Sequence, residues 1–241
     1  MKTNIPNNPI SKNYKVVLTT FIDKLVNTEQ DNLISIFLTG SFARGEANEN
    51  SDMDIWCIYK KIEPQTLTNA GTIVRDSPIR YDEFEINAQC LTLDELNSRH
   101  FSKFISYPII YLESVLLWGD DVLQKNLENE DVKKTYNELL AEILLSIRHY
   151  IAVNEPAEKL TYQKITTWVL NPLMFALRLE RYLHTNTYPL TKLDLANAYH
   201  TVPKSIQYCM NKEQWNNDII HNKEMTLYAL HNEIETLMRA E

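Results

Sequence analysis

Glycine is scarce in this chain, with four residues in 241, and two of the four fall close together, at Gly40 and Gly45. Cysteine is scarcer still. Cys57, Cys90 and Cys209 form neither a metal-ligand pattern nor a disulfide framework, so they read as reduced core residues. No apolar run approaches the roughly 20 residues needed to span a bilayer. The N-terminal text MKTNIPNNPI holds no apolar core of signal-peptide length, and the expectation is a cytoplasmic protein. Basic side chains are in the minority, 24 against 32 acidic ones, for a net charge of −8. That balance argues against broad nucleic-acid binding, which needs a basic surface, and is compatible with a cationic small-molecule partner. No internal repeat or low-complexity tract is present, and a hydrophobic content of 44% supplies an ordinary globular core.

What the chain does have is concentrated between Ile36 and Tyr59. A short apolar run, Ile36-Phe37-Leu38, leads into Gly40-Ser41. Arg44-Gly45 and a polar loop follow. Ser51-Asp52-Met53-Asp54 then opens a second apolar run, Ile55 to Ile58. Gly40 lets backbone approach a bulky anion without a Cβ in the way. Ser41 adds a hydroxyl where a helix begins, and free amides at such a start favour phosphate. Residues two apart on a strand share a face, so Asp52 and Asp54 project together. Two adjacent carboxylates repel unless a cation sits between them, and Mg²⁺ with nucleotide phosphates suits the pair. Two such ions would hold both the attacking oxygen and a leaving pyrophosphate. A Walker phosphate loop is excluded, because no Lys-Ser or Lys-Thr follows the second glycine.

Residues 82 to 90 alternate with period two. Phe84, Ile86, Ala88 and Cys90 make an apolar face; Glu83, Glu85, Asn87 and Gln89 make the other. Glu85, Glu83 and Asp82 are the carboxylates this stretch offers.

Gly40, Ser41, Gly45, Ser51, Asp52 and Asp54 together resemble the signature of the nucleotidyltransferase superfamily, G-S-x-x-x-G followed by a polar loop and S-D-x-D. Phe84-Glu85-Ile86-Asn87 resembles the hydrophobic-Glu-hydrophobic pattern of its aminoglycoside (streptomycin/spectinomycin-type) adenylyltransferases. The resemblance is specific up to about Lys60 and looser beyond. It implies that Glu85 is the third carboxylate and the general base on an acceptor hydroxyl. It implies that Gly40, Ser41 and Ser51 hold the triphosphate of ATP, that Arg44 either neutralises phosphate charge or forms a structural salt bridge, and that Asp52, Asp54 and Glu85 bind two Mg²⁺ ions.

Along the chain, residues 1 to 11 are rich in Asn and Pro and read as a loose arm. Ser11 is a candidate cap for a helix to about Asn27. Strands are expected over 33–39, 53–59 and 79–91, with a helix from Pro64 to about Arg75. Thr92 with Glu95 forms a capping-box pattern for a helix to about Ile105. Val115 to Trp118 reads as a short strand. Beyond Asp131 the pattern is helical. Segments are expected over 132–153 and 161–170, then from Asn171-Pro172 to about Leu183. Shorter ones follow Thr191 and Pro203, and a last one spans 218–239. The expected fold is α+β: a mixed sheet with flanking helices over 1–125, then an all-α bundle over 126–241, with the site in the cleft between.

In the helical half, the text from Arg181 to Lys192 resembles the C-terminal domain of the same adenylyltransferases, which implies that Lys192 contacts nucleotide phosphates. Glu155 and Glu158 are candidates for an amine-bearing acceptor. Arg178 and His184 resemble the Arg-x(4–6)-His pair of HEPN toxin domains. The leading expectation is transfer of AMP from ATP to a hydroxyl of a small molecule such as an aminoglycoside. The alternatives are a protein or RNA acceptor, or a component of a toxin–antitoxin pair.

Overall fold

The computed structural model describes residues 5–10, 13–75, 85–98, 107–123 and 127–239. The chain divides into two compact units, Met1–Asn126 and Leu127–Glu241.

The first unit is a mixed four-stranded sheet with helices around it. Its strands are β1 (Leu33–Leu38), β2 (Met53–Tyr59), β3 (Ile86–Thr92) and β4 (Val115–Gly119), in the order β3-β2-β1-β4. β1 runs antiparallel to β2 and β4, and β2 runs parallel to β3. β1 and β2 are nearly continuous apolar text because both lie inside the sheet and are covered on both faces. On one face Met53, Ile55, Cys57 and Tyr59 pack with α1 (Tyr14–Glu29) and α3 (Pro64–Arg75). α1 contributes Val17, Leu18, Phe21, Ile22 and Leu25, spaced as one helical stripe and almost wholly buried. Each such side chain adds about 1.5–3 kcal/mol by leaving water. On the other face, Phe37, Trp56, Ile58, Leu96 and Leu123 form a second cluster, joined by residues of α5 (Tyr107–Glu113).

Two details of this unit depart from the sequence expectation. Residues 5–10 are not a loose arm. The Asn8 side chain donates to Phe42 O at 3.1 Å and accepts from Ala47 N at 2.9 Å, and Ile5 and Ile10 pack on the core. Thr92 and Glu95 do form a reciprocal capping box, but the helix they start, α4 (Leu93–Leu96), closes within one turn at Asn97. Residues 99–106, to which that helix was expected to extend, lie outside the described residues, as do Ser11, Asp82 and Glu83.

The second unit is helical: α6 (Asn129–Val153), α7 (Tyr162–Ile165), α8 (Asn171–Thr185), α9 (Lys192–Asn197), α10 (Lys204–Met210) and α11 (Lys212–Arg239). α7 and α8 are joined without a break. A π turn over Thr166–Leu170 carries the chain between them, and Leu170 and Asn171 keep helical dihedrals. Pro172 is the cause. It lacks an N–H, and its ring would crowd the carbonyl of Trp168, four residues back. Widening the turn relieves both problems, so the helix continues through a bulge where a new segment was expected to start at Asn171-Pro172. α11 begins six residues before the expected Asp218, and Asn222 interrupts it (φ −141°, ψ 42°).

Glu180, Asp218 and Glu233 each take a hydroxyl group from another part of this unit. Tyr199 OH donates to Glu180 Oε2 at 2.7 Å, and Tyr208 OH donates to Asp218 Oδ2 at 3.0 Å. Glu233 takes the hydroxyl and the backbone amide of Ser205, capping the start of α10 from α11. Burial, and then the bond to Asp218, push the Tyr208 phenol up to about 12. Among the described residues, no helix is long and apolar enough to cross a membrane.

Candidate functional site

The site grows from the junction of β1 and β2. Thr39 stays extended after β1 and donates its backbone N–H to Asp54 O at 2.9 Å. Gly40 then adopts φ +67° and turns the chain into α2 (Gly40–Arg44). A Cβ at residue 40 would lie 2.6 Å from Asp54 Oδ2, inside contact distance, so the aspartate carboxylate is seated directly on the glycine backbone. Asp54 lies in β2 and Asp52 just before it. The alternation that sends Met53 and Ile55 to the helix-covered face leaves Asp54, Trp56 and Ile58 on the other. Asp52 shares that side.

The electrostatics fit a cation. Burial pushes the Asp54 carboxyl above its ordinary range, and the negative charge of Asp52 pushes it further. A bond from Asn87 and the charge of Arg44 act in the opposite direction. Two half-satisfied carboxylates with hard oxygen donors suit a divalent ion whose other positions go to water and phosphate. Among the described residues no three His, Cys, Asp or Glu side chains converge as a closed metal cluster. A hard divalent ion would find two oxygen donors here, Asp52 and Asp54, and the expected third carboxylate, Glu85, is not gathered with them into one cluster.

Glu85 lies one position before β3, exposed, with its carbonyl accepting from Met53 N at 2.8 Å. In the parallel register Met53 pairs with Ile86 and Asp54 with Asn87, so Glu85 stands next to Asp52 at the same end of the sheet. Ser41 is the second residue of α2, beside Gly40. Ser51 organises the polar loop: its hydroxyl accepts from Asn48 N, and its own N–H donates to Asn48 O, both at 2.9 Å. Gly45 closes α2 in the left-handed region, φ +73°.

Arg44 is engaged in ion pairs. Its Nη1 donates to Glu113 Oε2 at 2.5 Å and its Nε to Glu46 Oε2 at 3.1 Å. Burial lowers the guanidinium's pKa, but the two glutamates outweigh it and the net direction is upward. Arg44 thus fastens α2 to α5 while its charge still reaches Asp54.

The helical-unit candidates do not make one cluster. Lys192 is the first residue of α9. Glu155 pairs with Lys164 at 2.6 Å, which lowers its pKa, and Glu158 lies exposed in a short 3₁₀ turn. Arg178 is 2% exposed and donates to Pro189 O at 3.1 Å, whereas the His184 side chain is largely in solvent, 3.7 Å from Glu180. Those two environments give the Arg–His pair no shared site.

Sequence reasoning missed Asn87. Its Nδ2 donates to Asp54 Oδ1 at 2.9 Å. The one local signal is its residue type, since Asn is depleted in strands.

A family model described as the nucleotidyltransferase domain matches residues 20–134. A relative from Methanocaldococcus jannaschii, provisionally named a protein adenylyltransferase, is 30% identical over 103 residues, covering 39% of this chain and 69% of its own length. Among solved structures, spectinomycin adenyltransferase AAD(9) from Enterococcus faecialis, with ATP and spectinomycin, is similar in fold. Its TM-score is 0.54 at 13% identity, over 93% of this chain and 100% of that one.

Proposed function

The chain belongs to the nucleotidyltransferase domain family, and from that premise we propose that it transfers AMP from ATP to a hydroxyl of a small cationic molecule such as an aminoglycoside. The observation that carries the reading is the Asp54 carboxylate seated on Gly40 with Asp52 two residues before it. Asp52 and Asp54 would hold Mg²⁺, with Glu85 as the third oxygen donor. When bound, the metal neutralises phosphate charge and favours departure of pyrophosphate.

The protein's own part is positioning. Gly40 and Ser41 bring backbone amides and a hydroxyl to the triphosphate. Glu85 accepts the proton of the acceptor hydroxyl, whose oxygen forms the new bond to the α-phosphorus while the bond to pyrophosphate breaks. Ser51 shapes the loop beside the phosphates, and Lys192 is the candidate phosphate contact from the helical unit. Glu155 and Glu158 are the candidates for the acceptor's amines, in keeping with the net charge of −8. The 30% identical relative's name favours a second reading, in which the acceptor hydroxyl belongs to a protein.

Calorimetry with AMP-PNP and Mg²⁺, with and without an aminoglycoside panel, tests the proposal. Mg²⁺-dependent nucleotide binding followed by tight binding of one drug is the expected result. Nucleotide binding with no drug bound moves the acceptor to a protein, and no nucleotide binding removes the enzyme reading.

Gly40→Ala should separate seat from ligand. A side chain at φ +67° costs about 1–2 kcal/mol, and the added Cβ displaces Asp54. A moderate fall in melting temperature with a much larger loss of Mg²⁺-dependent nucleotide affinity is expected.

A further inference from the structure

We propose that Asn87 is a positioning residue for the metal site, acting through Asp54; the inference rests on the metal role given to the aspartate pair above. Asp54 is fixed from three sides. Its carbonyl is bound by Thr39 N at 2.9 Å. Its Oδ2 lies against Gly40, where a Cβ would be 2.6 Å away. Its Oδ1 accepts from Asn87 Nδ2 at 2.9 Å. Asn87 reaches that oxygen because it is the direct partner of Asp54 in the parallel β2–β3 ladder, with both side chains on the same face.

The choice of residue has a chemical reason. Position 87 is exposed, on a strand at the sheet edge, where a β-branched or aromatic side chain would suit the backbone better. A carboxylate at 87 would add a further negative charge next to Asp52, Asp54 and Glu85. An aliphatic side chain would leave Oδ1 unheld. The asparagine amide is neutral and still donates. It therefore orients the carboxylate before a cation arrives. Partners of this kind around a metal-binding carboxylate set its orientation, and their loss typically weakens metal binding about 10- to 100-fold.

Gln89 provides an internal control. It occupies the next position on the same face of β3, is exposed, pairs in register with Trp56, and touches neither aspartate. The experiment measures Mn²⁺ affinity of the full chain by electron paramagnetic resonance in the presence of AMP-PNP. The wild type is compared with Asn87→Ala, Gln89→Ala and Asp54→Asn, and each variant's melting temperature is recorded. Asn87→Ala is expected to weaken Mn²⁺ binding about tenfold or more with an unchanged melt, while Gln89→Ala binds as the wild type does. Wild-type Mn²⁺ affinity in Asn87→Ala, or an equal loss in Gln89→Ala, overturns the positioning role and leaves the metal site standing. Undiminished Mn²⁺ binding in Asp54→Asn removes the metal site itself, and the positioning role with it.

Discussion

Asp52→Asn is expected to lower the rate of nucleotidyl transfer by about a thousandfold while leaving the fold intact. The size follows from the role proposed for Asp52, an anionic ligand of a catalytic metal: about 4 kcal/mol of lost transition-state stabilisation corresponds to three powers of ten. The intact fold follows from where the charge sits. Asp52 is exposed, ahead of β2, and no core side chain depends on it. Its negative charge raises the Asp54 carboxyl, which means that the metal-free protein holds two mutually repelling groups. Removing one relieves that repulsion, so the melting temperature without metal should stay level or rise. Mg²⁺ should raise the wild-type melt and have little effect on the variant. Rate assays on any confirmed acceptor, together with melts with and without Mg²⁺, check both halves. Full activity in Asp52→Asn would show that the pair is not the metal ligand.

Gly119→Ala acts at the opposite extreme, on the fold rather than the chemistry. Gly119 ends β4 at φ +85°, paired with Ser35 beside a register shift. A Cβ there would stand 2.0 Å from Ile34 O and 2.9 Å from Ser35 Cα. Both obstacles are backbone of a central strand, which has no rotamer to yield. β4 must pull away from β1, and the unfavourable φ adds to the cost. A loss of about 3 kcal/mol or more is expected, seen as a drop of about 10 °C in the first unit's melt. A variant that melts with the wild type would mean that this end of β4 does not lie against β1 as described.

How much of this was legible in the sequence depended on how local each cause is. The Gly40-to-Asp54 text announces itself because a glycine beside a turn, a hydroxyl at a helix start and aspartates two apart are local demands on residue type. β2 falls at the expected Met53–Tyr59 for a related reason: its apolar run is bounded by Ser51-Asp52 and Lys60-Lys61. The capping box at Thr92 was also visible, because both halves lie within four residues. Its helix was drawn too long because a cap specifies a start and says nothing of the end. The π turn before Pro172 was half visible. The proline's steric demand is local, but whether the helix breaks or widens depends on what Val169 and Leu170 bury against, and both are fully buried. Asn8 on Phe42 and Asn87 on Asp54 were out of reach. Each bond joins residues more than thirty positions apart, and only the strand register or the chain path brings them together.

The hydroxyl-held carboxylates of the second unit carry a consequence for how the protein tolerates its surroundings. Glu180, Asp218 and Glu233 each accept a hydrogen bond from a neutral O–H group. A Lys or Arg partner would form a Coulombic attraction that dissolved ions weaken. A hydroxyl forms a short-range dipolar bond that ions scarcely touch. These three O–H bonds should therefore respond less to salt than the ion pairs of the same unit, Arg148–Glu235 and Glu155–Lys164.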